Sequence, residues 1–160
     1  MTRNQAGNII YATIGNNVYQ WQGNGWLALG TGSNGLNADS YIFTTTTDPA
    51  GNVYASGWFS NAFGKPYVAK WNGSAWSELG NLNASGPVYT ITSDAAGNIY
   101  AAGSIRSATG YLYVAKWNGT GWGGIGNLGV VGDAVYALEM YDSGSGPELY
   151  AGGTIPLPPP

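Results

Sequence analysis

Residues 67–80 read YVAKWNGSAWSELG and residues 113–126 read YVAKWNGTGWGGIG, so the chain states one unit nearly twice. Trp71 and Trp117, and likewise Trp76 and Trp122, are 46 residues apart. A weaker copy, Val18-Tyr19-Gln20-Trp21-Gln22-Gly23-Asn24-Gly25-Trp26, precedes them. Self-similarity at this period means that one supersecondary unit is stacked on copies of itself, because such a unit cannot bury its own faces alone.

The unit splits into four short strand-like runs separated by turn residues. In its third copy these are Val88 to Thr92, Ile99 to Gly103, Tyr113 to Trp117, and a last run from Trp122. Asp94-Ala95-Ala96-Gly97-Asn98 turns the first run into the second, and Asn118-Gly119 marks a hairpin between the third and fourth. Helix is disfavoured, since the 27 glycines would each cost a helix about 1 kcal/mol. Four antiparallel strands in each unit of about 46 residues is the pattern of a β-propeller blade. The chain is therefore expected to be all-β, with partial blades over 7–30 and 135–153 and full blades over 41–80 and 88–126. Residues 1–153 form the repeat domain, and the proline-rich tail 154–160 cannot continue a sheet.

With the strands of a blade lettered A to D, the order is BCD, ABCD, ABCD, AB. That is about three and a half blades, fewer than the four to eight of a closed propeller. Either the sequence is cut from a longer chain, or copies of it complete one another, as a closed ring or, where the rotation does not close, a filament.

Composition narrows the function. Only 8% of residues are charged, against 12 Tyr and 7 Trp, so Asn, Ser, Thr and Gly must supply the polar surface. Such a balance suits an extracellular or cell-surface β-protein. The start lacks the apolar stretch of a signal peptide, so a secreted chain implies a removed leader or an excerpt of a longer protein. A net charge of −3, with cations only at Arg3, Lys65, Lys70, Arg106 and Lys116, argues against nucleic acid. No apolar run approaches the roughly 20 residues of a membrane span. Cysteine and histidine are absent, which removes thiolate chemistry and the usual general base near neutral pH.

The pattern Gly-Asn-(Ile/Val)-Tyr-Ala-x-Gly followed by Tyr-Val-Ala-Lys-Trp-Asn-Gly-x-x-Trp-x-x-(Leu/Ile)-Gly resembles tandem repeats of large bacterial secreted and surface proteins, grouped near the Kelch and galactose-oxidase-like propellers. Asp94 to Tyr100 is also similar to the opening of an NHL-type blade. The resemblance implies a propeller, but not a copper oxidase, whose site requires His and Cys.

Residues repeated at one strand position are expected to be core: Trp21, Trp26, Tyr54, Trp71, Trp76, Tyr100, Trp117, Trp122 and Tyr150. Ligand contacts are expected where the copies differ, in the loops between second and third strands. Trp58, Phe59, Phe63 and Lys65 in one such loop, and Arg106 and Tyr111 in the next, form either a binding platform for glycans or packing against a neighbouring blade or subunit. Asp48, Asp94 and Asp142 recur at a turn and read as caps of that turn. Asp39, Asp133 and Glu139 can approach one end of a ring, yet no spacing selects a catalytic pair, and no calcium-loop or other metal motif is present. The reading is a non-catalytic, self-assembling surface module without cofactor, the alternative being a lectin that uses loop aromatics.

Overall fold

The computed structural model describes residues 1–3, 9–128 and 133–154. Its strands are β1 (Thr2–Arg3), β2 (Ile10–Ile14), β3 (Asn17–Trp21), β4 (Trp26–Ala28), β5 (Ile42–Thr47), β6 (Val53–Gly57), β7 (Ala69–Trp71), β8 (Trp76–Glu78), β9 (Thr90–Ser93), β10 (Ile99–Ala102), β11 (Tyr113–Trp117), β12 (Trp122–Asn127), β13 (Val135–Asp142) and β14 (Pro147–Gly153). They form antiparallel sheets β1–β4, β5–β8, β9–β12 and β13–β14, with strands adjacent in chain order. The chain is all-β. No helix among the described residues is long and apolar enough to cross a membrane.

One expectation about the first sheet needs correction. It has four strands rather than three, because β1 pairs Thr2 with Tyr11 and Arg3 with Ile10. A Thr-Arg pair carries no apolar alternation, so nothing local announces a strand. Tertiary bonds hold it instead: Thr2 Oγ1 donates to the Thr45 carbonyl at 2.6 Å, and Thr47 Oγ1 donates to the Arg3 carbonyl at 3.3 Å. Gly7 and Asn8 of the partial-blade reading, and residues 155–160 of the tail, lie outside the described residues.

The core is divided among the joints between successive sheets. Tyr11, Val18, Leu29, Val53, Ala55 and Phe59 fill the first joint. Tyr54, Val68, Leu79, Ile91, Ile99 and Ala101 fill the second. Tyr100, Ala102, Val114, Val135 and Leu138 fill the third. Alternate residues of β6 and β10 therefore face opposite neighbours, and both faces are buried. That two-sided burial is why these strands read as continuous apolar runs rather than as half-polar ones.

Directed bonds reinforce each joint. Trp71 faces Trp76, and Trp117 faces Trp122, with ring centroids 5.8 Å apart in both pairs. From the second tryptophan of each pair the indole reaches back one sheet: Trp76 Nε1 donates to the Leu29 carbonyl at 2.6 Å, and Trp122 Nε1 to the Leu79 carbonyl at 2.5 Å. The first tryptophan sits over a glycine of that preceding sheet. A Cβ on Gly80 would lie 2.4 Å from the Trp117 ring, and its φ of +58° also favours glycine. First strands are tied by hydroxyls as well, as where Ser93 Oγ donates to the Thr47 carbonyl at 2.7 Å.

The hairpin loops are built by asparagine. Asn118 Nδ2 is not the working atom; its Oδ1 accepts from the Thr120 and Gly121 amides, each at 3.0 Å. The Trp117–Trp122 pair closes a four-residue loop, so Asn118 caps the turn instead of occupying a two-residue Asn-Gly turn.

Candidate functional sites

The residues expected in the core divide by sheet. Tyr54 and Tyr100 are buried, and the four tryptophans of the second and third sheets are half-buried. Each tyrosine hydroxyl donates to a turn aspartate, Tyr54 to Asp48 Oδ2 at 2.8 Å and Tyr100 to Asp94 Oδ2 at 2.9 Å. The aspartates also accept from Asn52 and Asn98, and Lys70 and Lys116 lie over the tyrosine rings at 5.8 and 5.3 Å. Burial and then the Asp48 hydrogen bond push the Tyr54 hydroxyl far above its ordinary pKa. At Asp94 burial acts upward, but the Asn98, Tyr100 and Ala96 donors outweigh it and hold the carboxyl below its ordinary value. These recurring sets fasten the turn between first and second strands. They account for the repeated aspartates without a ligand.

Two of the expected core positions behave differently. Tyr150 is 48% exposed, a correction to its assignment with Tyr54 and Tyr100. Asp142 lies two residues farther from its tyrosine than Asp48 and Asp94 do, because the hairpin ladder extends to the Asp142–Pro147 pair, so the Tyr150 hydroxyl meets Glu148 Oε2 at 3.1 Å, while Asp142 Oδ1 accepts from the Gly144 and Gly146 amides. Trp21 and Trp26 pair as expected, at 5.3 Å, but both remain more exposed than their later counterparts because no sheet precedes theirs among the described residues.

The loop residues scatter. Phe59 is fully buried and meets Tyr67 edge-on at 4.8 Å, so it belongs to the core and is withdrawn from any binding platform. Past the end of β6, Phe59 turns inward and Trp58 outward. Trp58, Phe63, Lys65 and Tyr111 are exposed, and Arg106 is half-buried. Arg106 Nη1 donates to the Gly110 carbonyl at 3.0 Å and Nη2 to the Asp133 carbonyl at 3.5 Å. Asp39, Asp133 and Glu139 are exposed, and Asp39 Oδ1 accepts from the Ser60 amide at 2.8 Å. Among the described residues no group of three or more acidic side chains is placed to hold a metal.

Two features escaped the sequence reading. Phe43, Tyr89 and Tyr136 form a row across three sheets, with centroids 5.5 and 5.2 Å apart. Their spacings of 46 and 47 residues were the available signal. The second is a cavity of about 720 Å³ between Asn81–Asn83, Arg106–Ala108 and the face of β12. The two strands β13–β14 match the A and B runs expected at the end of the repeats, and one side of β14 is unpaired among the described residues. Its counterparts β6 and β10 pair on that side with β7 and β11, whereas β14 pairs only with β13 among the described residues and is exposed over nearly all its length.

No family model matches this chain, and no curated protein or solved structure is significantly similar to it.

Proposed function

We infer that the chain is a non-catalytic structural module of the cell exterior, a propeller-type array of about three and a half blades that self-associates through the open side of β14. The exposure of that strand carries the reading. A second strand is buried in the two preceding sheets, and an unpaired edge with apolar alternation is a template for another strand. The consecutive four-stranded sheets, each locked to the one before, support the propeller assignment, and the low charge supports an exterior location.

The proposed occupant is the β3–β4 hairpin of a second copy. In the first sheet Gln20 stands opposite Tyr11, the place that Lys70 holds opposite Tyr54 and Lys116 opposite Tyr100. Strand addition would set Gln20 of a second copy opposite Tyr150, with β13–β14 displacing β1–β2. The exchange is favoured by length, since β13 and β14 have 8 and 7 residues and β1 only 2.

Light scattering over a dilution series tests this, with Tyr150→Lys as the edge-blocking variant. The wild-type chain should gain mass with concentration, as a dimer or larger particle, while the variant remains a folded monomer with the same circular dichroism. A folded wild-type monomer at every concentration, or equal association by the variant, would refute the reading.

A further inference from the structure

The joint between the second and third sheets departs from the joint before it at two positions, and both changes favour a ligand. In the second sheet Glu78 stands opposite Ala69, and its carboxylate accepts from Asn61 Nδ2 at 3.2 and 3.1 Å. The third sheet repeats the pairing, but opposite Ala115 the residue is Gly124. The missing side chain leaves the cavity of about 720 Å³ described above, within the size range of small-molecule sites.

The second change is at the cavity edge. Ser60 and Arg106 are equivalent, each bridging across its loop, to Pro66 and Leu112 respectively. Arginine thus replaces serine as glycine replaces glutamate, and the local balance moves by two charges toward positive. No carboxylate lines this cavity among the described residues. The bonds from Arg106 to the Gly110 and Asp133 carbonyls orient its guanidinium.

The remaining lining is aromatic and amide-rich. Trp122 and Tyr113 supply flat apolar surface; Asn81, Asn83 and Ser107 supply hydrogen-bonding groups. Tyr113 differs from its counterpart Tyr67, which is covered by Phe59, because Ile105 replaces that phenyl ring in the third sheet. Asn81 and Asn83 also line a second cavity of about 490 Å³ that reaches Phe63 and Lys65. Glu78 lines that second cavity beside Lys65, so the excess of positive charge belongs to the first cavity alone.

We propose that the cavity beside Arg106 binds an acidic sugar, as a uronate residue of an oligosaccharide. Its carboxylate pairs with Arg106, its ring lies on Trp122 or Tyr113, and its hydroxyls meet Asn81, Asn83 and Ser107. Aromatic faces suit the C–H faces of a sugar ring, amides suit its hydroxyls, and a guanidinium fork suits its carboxylate. The site is independent of the β14 edge.

Calorimetric titration of the full chain with trigalacturonic acid, with galactotriose as the neutral control, tests the proposal. Gly124→Glu and Arg106→Ser install residues that the preceding joint already carries, and a Cβ at Gly124 meets only the Tyr113 ring, at 3.4 Å. Gly124→Glu should melt like the wild type, and Arg106→Ser, which gives up the bonds to the Gly110 and Asp133 carbonyls, should melt lower but remain folded. The wild type should bind the acid with Kd on the order of 0.1 mM, and Gly124→Glu should abolish binding. Arg106→Ser should weaken it about tenfold or more, and galactotriose should bind at least about tenfold less tightly. No saturation below roughly 10 mM acid, or unchanged binding by Gly124→Glu, would overturn the site. Equal affinity for the neutral sugar would overturn the carboxylate contact, and equal affinity for triglutamate would overturn the sugar.

Discussion

Replacing Gly103 by alanine probes how closely the first two strand runs of the third sheet approach where they meet the fourth. A Cβ there would lie 2.2 Å from the Pro87 carbonyl oxygen and 2.7 Å from the Tyr89 nitrogen, both main-chain atoms. Carbon–oxygen contacts ordinarily begin near about 3.3 Å, so the backbones must separate by roughly 1 Å. Two hydrogen bonds meet at this point, Ser104 N–H to Pro87 at 3.0 Å and Val135 N–H to Gly103 at 3.1 Å. Losing both costs about 1 kcal/mol each, and the overpacking adds roughly 1–3 kcal/mol. Alanine returns about 0.4–1 kcal/mol by restricting the unfolded chain. The net loss is about 3 kcal/mol, or roughly 6–12 °C in Tm for a chain of this size. Urea denaturation followed by tryptophan fluorescence measures it, with Gly123→Ala as the control, since nothing lies within 4 Å of a Cβ at Gly123. A cost below about 1 kcal/mol, or no larger than the control's, would refute a rigid close approach.

Two further predictions concern polar groups. Ser56 Oγ is buried without a hydrogen-bond partner among the described residues, and its counterpart in the third sheet is Ala102, so Ser56→Ala should raise stability by about 1 kcal/mol in urea denaturation. The folded-state pKa of Asp94 lies below its unfolded value near 3.8, so its stabilising contribution is complete above that pH and is lost as the pH falls through the folded value. Asp94→Asn should therefore lower Tm most at neutral pH, with the gap to wild type narrowing below about pH 4; a constant gap down to about pH 2 would contradict this.

The repeat unit was legible because its key residues answer one another across a hairpin, as Trp117 answers Trp122. What lay beyond the unit was legible only in part. Tyr54 and Tyr150 are the same residue type at one repeat position, yet burial depends on what pairs beside the strand and on how far the turn aspartate stands from the tyrosine, both of which differ at Tyr150. Phe59 looked like a loop aromatic, although the apolar Ile105, 46 residues on, marked the position as core. β1 depends on hydroxyl contacts to a strand more than 40 residues away and has no local pattern. The cavity was the hardest to foresee, since it arises from the absence of a side chain at Gly124.

The tryptophan contacts between sheets have an evolutionary consequence. Trp76 and Trp122 donate to carbonyls, and every residue possesses a carbonyl. The acceptor's side chain can drift while the acceptor itself is retained. Selection on this bond falls on the donor alone, which lies within the duplicated segment. A gene that lengthens by copying that segment inherits a working connection with each addition, provided that the copy receiving it keeps the glycine under the first tryptophan, as Gly30 and Gly80 do.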